Sequence, residues 1–341
     1  DIYRSDDKGA TWRKVRESNA FMEGAAATYG WVFSQVRVDP NDENTVYFMG
    51  LDLYQSTDGG KTYKAMRQMH GDHHALWIDP ANSDTLINGN DGGLVISYDK
   101  GRTWRQFTTG GLIPAVQFFN VSYDMAEPFH VYGSVQDHGS YRAAVDLGAG
   151  RDRIRPIDFQ IAPGGEGTTH AIDWATNNFV YSSSFYGNLD RADMSKPGTG
   201  RRAGAFQLTN IMPKPASGEP ALRGQWMAPT LVSPHNPDIV YHGLQAVYRS
   251  MFRGDNWERI SPDLSDNNPA MLGDIPYQTI YALAESPKRF GLLYAGTDDG
   301  RLWVTRDGGK AWTELTGNLP QRKWISRVVP SNFLALRSAS S

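Results

Sequence analysis

The chain has 341 residues, with 34 basic against 37 acidic side chains, a net charge of −3 and no cysteine. A near-neutral balance with no long run of one sign argues against a nucleic-acid backbone or an anionic membrane as the main partner. The missing thiols exclude disulfides and thiolate chemistry while leaving the compartment open. A content of 35 Gly, 19 Pro, 10 Trp and 16 Tyr fits many short strands, tight turns and aromatic packing between layers.

Asp1-Ile2-Tyr3-Arg4 is no signal peptide, and the abrupt start inside a repeat leaves room for a leader or earlier domains. No stretch approaches the roughly 20 apolar residues of a membrane span. The first motif is Ser5-Asp6-Asp7-Lys8-Gly9-Ala10-Thr11-Trp12, a box of the form Ser-x-Asp-x-Gly-x-Thr-Trp. It returns from Ser56 to Tyr63 and from Ser97 to Trp104, in weaker form from Thr305 to Trp312, and decayed from Ser250 to Trp257. The chemistry suits a turn between two strands: Asp accepts backbone N–H bonds, Gly supplies a positive φ, and the aromatic packs beneath. The gap between Ser97 and Ser250 holds three periods, so two further units fit there without a box. Seven units of about 49 residues then fill the chain, near the repeat length of propeller blades.

An independent pattern gives the same count. A short apolar strand, a Pro/Asn/Asp turn and a second apolar strand recur from Val36 to Phe48, Leu76 to Asn88, Val121 to Tyr132, Ala171 to Ser182, Leu231 to His242 and Leu283 to Ala295. A shortened copy runs from Val328 to Leu336. The expected fold is all-β: one β-propeller domain over 1–341, of about seven four-stranded blades. The blades are expected at 30–66, 72–108, 117–160, 168–210, 226–262 and 277–316, with the hairpin 325–341 joining residues 1–15 in a shared blade.

At these boxes the chain resembles the Asp-box (BNR-repeat) propeller superfamily, which holds sialidases, xyloglucan-active glycoside hydrolases and the sortilin-type receptor domain. It is most similar to bacterial sortilin-like or glycosyl-hydrolase-like BNR-repeat proteins. The stretches His70–Pro80, Gly89–Gly93, Gln136-Asp137, Ile260–Leu264 and Ile280–Pro287 carry that likeness. The resemblance implies the propeller and an extracellular or periplasmic bacterial setting. It does not fix chemistry. A sialidase signature is missing: the nearest string, Arg153-Ile154-Arg155-Pro156, is misplaced and carries an inserted Arg.

Box carboxylates read as turn-forming, which sets Asp7, Asp58, Asp99 and Asp307 aside. Ligands of propellers usually meet the loops between second and third strands and the segments entering first strands. Those supply Asp72, His73, Asp137, Glu166, His170, Tyr186, Trp226 and Tyr277, with Gln136 beside Asp137. Glycoside hydrolysis needs one carboxyl held protonated and one ionised. Asp137 and Glu166, then Asp72, are the candidate catalytic residues; His73, His170, Trp226, Tyr277, Tyr186 and Gln136 are candidate substrate contacts. Asp91 and Asp298-Asp299 read as turn residues. His70, His73 and His74 around Asp72 have metal-ligand types without the geometry of a known motif, so no metal or cofactor is expected beyond a structural calcium. The expected function is a secreted glycoside hydrolase on a polysaccharide or oligosaccharide. The alternative is a non-catalytic, sortilin-like propeller gripping peptide or glycan. The expected partner is therefore a glycan, with no nucleic acid and no membrane, on a monomer, since a closed ring has little need of a second copy.

Overall fold

The computed structural model describes residues 2–15, 20–26, 29–107, 116–153, 158–196, 206–273 and 277–332. These divide into two compact units, 1–116 and 117–341, each taken by itself below.

The first unit opens with a two-stranded pair, β1 (Tyr3–Arg4) and β2 (Arg13–Lys14). A short helix, α1 (Ala20–Ala26), follows. Then comes a four-stranded antiparallel sheet of β3 (Gln35–Asp39), β4 (Asp42–Met49), β5 (Leu53–Ser56) and β6 (Lys64–Ala65). A second follows the same sequential order: β7 (His73–Ile78), β8 (Leu86–Asn90), β9 (Gly93–Ser97) and β10 (Arg105–Gln106). Tyr47, Met49, Leu53, Leu76, Ile78 and Leu86 form one buried cluster between these two sheets.

The second unit holds four more sheets of the same plan. They are β11 (Val121–Tyr123), β12 (Phe129–Val135), β13 (Gly139–Val145) and β14 (Gln160–Ile161); then β15 (Thr169–Ile172), β16 (Phe179–Ser184), β17 (Asn188–Asp193) and β18 (Leu208–Asn210). The last two are β19 (Thr230–Val232), β20 (Val240–Gly243), β21 (Val247–Phe252) and β22 (Asp255–Arg259), and β23 (Ile280–Glu285), β24 (Leu293–Thr297), β25 (Leu302–Thr305) and β26 (Thr313–Glu314). In every sheet sequence neighbours pair antiparallel, the meander order of a propeller blade. The fold class is therefore the all-β propeller expected from the repeat. Hairpin pairing also follows the sequence pattern, with Leu76 opposite Asn88 and Leu283 opposite Ala295.

One expected element differs. Residues 323–332 carry no strand; Ile325 instead donates its N–H to the Thr297 carbonyl at 3.0 Å. The rest of the expected closing hairpin, 333–341, lies outside the described residues.

The boxes fold as closed hydrogen-bond nets. In the second, the Ser56 hydroxyl donates to Asp58 Oδ1 at 2.7 Å and accepts the Gly60 N–H at 2.8 Å. The Thr62 N–H reaches Asp58 Oδ1 at 2.9 Å and its hydroxyl reaches Oδ2 at 2.6 Å. The same four bonds recur around Asp7 and Asp99. At Asp307 the hydroxyl bond is lost because Ala311 replaces the threonine. The decayed copy keeps only the serine half, with the Gly254 N–H on Ser250 Oγ at 3.0 Å.

The Thr62 hydroxyl and then its N–H hold the Asp58 carboxyl down at about 2. Its ordinary, unfolded value is near 3.9, so this stabilisation is whole above that value and lost as pH falls through 2. Asp58→Asn is therefore expected to melt a few degrees lower at neutral pH and to lose part of the melting drop between pH 4 and pH 2; equal pH profiles would contradict the net. In the core, Leu86 is fully buried, and Leu86→Ala is expected to cost about 2–5 kcal/mol, read from the denaturant midpoint at constant slope.

Candidate functional site

Within the second unit, the turn joining β12 to β13 carries Gln136, Asp137 and His138, all exposed. Asp137 sits in the left-handed region at φ 59°, followed by Gly139 at 92°. That reversal turns its backbone N–H toward the segment entering β15, where Glu166 Oε2 accepts it at 2.6 Å. The Gln136 amide bridges the two carboxyls, donating to Asp137 Oδ1 at 3.2 Å and to Glu166 Oε2 at 3.3 Å. Both carboxyl groups therefore lie within reach of one amide nitrogen. Burial raises the Glu166 pKa above the usual glutamate value, the Asp137 charge adds to it, and the Asp137 N–H opposes.

An aromatic wall stands beside the pair. A Cβ on Gly167, at φ 59°, would fall 2.2 Å from Trp226 Nε1, so the indole lies directly against the residue that follows Glu166. Phe185 and Tyr186 meet the same indole edge-on, with ring centroids at 4.5 and 5.6 Å. Tyr186 is itself left-handed at φ 58°. The next carbonyl, of Gly187, accepts the His242 Nε2–H at 2.9 Å, while His242 Nδ1 accepts the Thr230 hydroxyl at 2.7 Å. Gly224 permits this turn, since a Cβ there would come within 2.5 Å of the Tyr186 carbonyl oxygen.

Trp226 is fixed from behind by a buried chain. Its backbone N–H donates to Gln225 Oε1 at 2.6 Å, and Gln225 Nε2 donates to Asp298 Oδ2 at 2.9 Å. Asp298 also accepts the Thr279 N–H at 2.9 Å and its hydroxyl at 2.7 Å. Burial pushes the Asp298 carboxyl upward against those three donors. Asp298, read from the sequence as a turn residue, does lie in the turn after β24 and is also a fully buried anchor. Tyr277 lies on the same anchor, its hydroxyl 3.5 Å from the Asp298 carbonyl.

The structure therefore joins Gln136, Asp137, Glu166, Tyr186 and Trp226 in one surface patch and leaves Tyr277 at its rear. His170, expected to face substrate, is turned inward and 4% exposed, its Nε2–H on the Pro163 carbonyl at 2.8 Å. It lies in β15, where His170, Ala171 and Ile172 are buried in succession, so both faces of the strand are covered, and its cross-strand partner Ser182 is buried too. In the first unit His73 is likewise buried, with Nδ1 2.8 Å from Asn88 Oδ1. Asp72 there is half-buried and left-handed at φ 59°, its N–H on the Leu51 carbonyl. The three neighbouring imidazoles diverge: His70 reaches the Gly71 carbonyl, His73 reaches Asn88, and His74 reaches Asp91 at 2.8 Å. Sequence reasoning missed Phe185 and His242. Phe185 was legible only as the neighbour of Tyr186, and nothing marks His242 apart from its burial.

No family model matches the chain. Among curated proteins it is similar to the oligoxyloglucan-reducing end-specific xyloglucanase of Emericella nidulans, at 22% identity over 92% of this chain and 38% of that enzyme. The chain thus spans well under half the length of that relative. Among solved structures it is similar to the GH74 xyloglucanase from Xanthomonas campestris, with a TM-score of 0.36 at 18% identity over 94% of this chain and 50% of the other. It is also similar to the extracellular domain of a one-component system from B. thetaiotaomicron, with a TM-score of 0.39 at 14% identity over 88% and 36% of the two chains. At these scores the fold assignment stands on the strand order and the repeated boxes.

Burial holds both His170 and His242 at about 4, so both are neutral in the folded protein. Each has a folded value below its unfolded one, so the stability they contribute is present above about 6.5 and is lost as pH falls toward 4. In histidine NMR titrations these two rings are expected to keep neutral shifts down to pH 5. A ring titrating near 6.5 would show that its burial is wrong.

Proposed function

We propose that this chain is the propeller of a secreted glycoside hydrolase of the Asp-box superfamily, acting on a polysaccharide or oligosaccharide. The observation that carries this reading is the Glu166 carboxyl, raised by burial, set against Asp137 and flanked by the Trp226 wall. Hydrolysis of a glycosidic bond begins with proton delivery to the leaving oxygen, and a carboxyl with an elevated pKa keeps that proton near neutral pH. In this reading Glu166, its pKa raised by burial, is the proton donor. The aromatic wall stacks on a sugar ring and presents the linkage to Glu166. Retaining mechanisms place their two carboxyls about 5–5.5 Å apart and inverting ones about 6.5–9.5 Å; in this reading Glu166 supplies the acid half of the mechanism. Similarity to a xyloglucanase supports the reading and makes xyloglucan the first substrate to test.

One observation favours binding without turnover. Both carboxyls are already engaged, Glu166 by the Asp137 N–H and Asp137 by the Gln136 amide, as in a patch built to grip hydroxyls.

Reducing-sugar release on a polysaccharide panel separates the two. Hydrolysis is expected to fall about 10²–10⁴-fold in Glu166→Gln and to decline with rising pH through a value above the usual glutamate range. Trp226→Ala is expected to raise KM more than it lowers kcat. Silence across the panel from cooperatively melting protein, with glycan retention abolished by Trp226→Ala, would replace the hydrolase with the binding propeller.

A further inference from the structure

A groove of about 510 Å³ lies in the second unit between β22 with the residues that follow it and the box turn 307–312. It falls within the size range of small-ligand sites, roughly 300–1,000 Å³. None of the residues placed at the Glu166 site lines it. Two indoles do: Trp312 donates its ring N–H to the Ile260 carbonyl at 2.8 Å, and Trp303 donates to the Leu264 carbonyl at 2.8 Å. With their polar edges fixed to backbone, these rings offer carbon surface, one face of Trp303 being covered by the Arg301 guanidinium at 4.8 Å.

The charges of the groove are unequally committed. Three cations line it, Arg249, Arg259 and Lys310, against two carboxylates. Glu258 is taken by Arg249 at 2.7 Å. Asp307 is taken by the Thr305 hydroxyl at 2.8 Å and the Ala311 N–H at 3.0 Å. Arg259 donates its Nε–H to the Ser261 carbonyl at 3.0 Å and pairs with Glu219 at 3.8 Å, whereas the exposed Lys310 side chain has no ion pair among the described residues. The uncommitted charge is therefore positive, held by Lys310 beside two indoles.

The turn does not form a phosphate cradle. The Gly308 N–H is bonded to the Gly291 carbonyl and the Gly309 N–H to the Thr305 hydroxyl. A nucleotide or phosphorylated ligand, which draws on free backbone N–H groups, would lack its usual donors. A ring with C–H faces and a carboxylate at its edge uses what the groove offers: stacking on the indoles and side-chain cations for the anion.

We propose that this groove is a second saccharide site, selective for acidic oligosaccharides bearing uronate carboxylates. It is independent of the Glu166 site and holds whether that site hydrolyses or only binds. Calorimetric titration with an oligogalacturonate, with a cello-oligosaccharide as the neutral probe, tests it. The acidic probe is expected to bind, to weaken with added salt, and to outcompete the neutral one. Lys310→Glu is expected to weaken it by at least about tenfold, Lys310→Arg to retain it, and Trp226→Ala to leave it unchanged. Lys310 is exposed, so its variants are expected to fold, and their melting temperatures check this. Equal affinity for both probes, no binding of the acidic probe, or indifference to Lys310→Glu would each overturn the proposal. Loss on Trp226→Ala with Lys310→Glu silent would assign the acidic probe to the Glu166 patch and overturn it as well.

Discussion

A four-stranded sheet whose second strand is apolar on both faces has no stable existence alone. In β4 the run Val46–Met49 is buried without a break, and in β20 all four residues from Val240 to Gly243 are. Side chains alternate faces along a strand, so consecutive burial means that both faces of the sheet are covered. Clusters drawn from two successive sheets supply that cover, such as Tyr241 and Val247 with Ile280, Leu293 and Ala295. Each blade is in this sense an incomplete object, and the next blade is its solvent.

That constraint dictates where chemistry sits. Strands committed on both faces have no side chain to spare, so functional groups are left to turns and entering segments. The patch around Glu166 is made in this way, from the turn after β12, the segment before β15, the turn after β16 and the segment before β19. Such loops are held in place by buried polar groups, each of which must be satisfied. Gln225, Asp298, Thr279 and His242 meet that demand with hydrogen bonds among themselves and to backbone, and the aromatic wall inherits their order.

The sequence carried the repeat better than the site. Box turns encode themselves locally: serine, aspartate, glycine and threonine close a net with no help from elsewhere, so spacing alone located them. Hairpins such as Leu76 with Asn88 were legible for the same reason. Asp298 was not, because Asp-Asp-Gly looks the same in a surface turn and in a buried anchor, and only the arrival of Gln225 from another blade distinguishes them. His170 and His73 each lie just inside a strand whose entering segment faces solvent, and in β15 both faces are buried from His170 to Ile172. Residues 325–332 open the run read as a hairpin from the recurring apolar pattern, yet they form no strand, because an apolar run needs a partner of the right register to become one.

The left-handed backbone at Asp137 has a bearing on how this surface could change over time. Glycine is indifferent to a positive φ, whereas a side chain there is tolerated at an energetic cost. Asp137 and Tyr186 both occupy such positions on the patch, as Asp72 does in the other unit. At each of them drift toward glycine would relax the turn and delete a functional group in the same step. Selection for a sturdier fold and selection for this patch therefore pull those codons in opposite directions, and a lineage that no longer needs the chemistry should show glycine or asparagine there first.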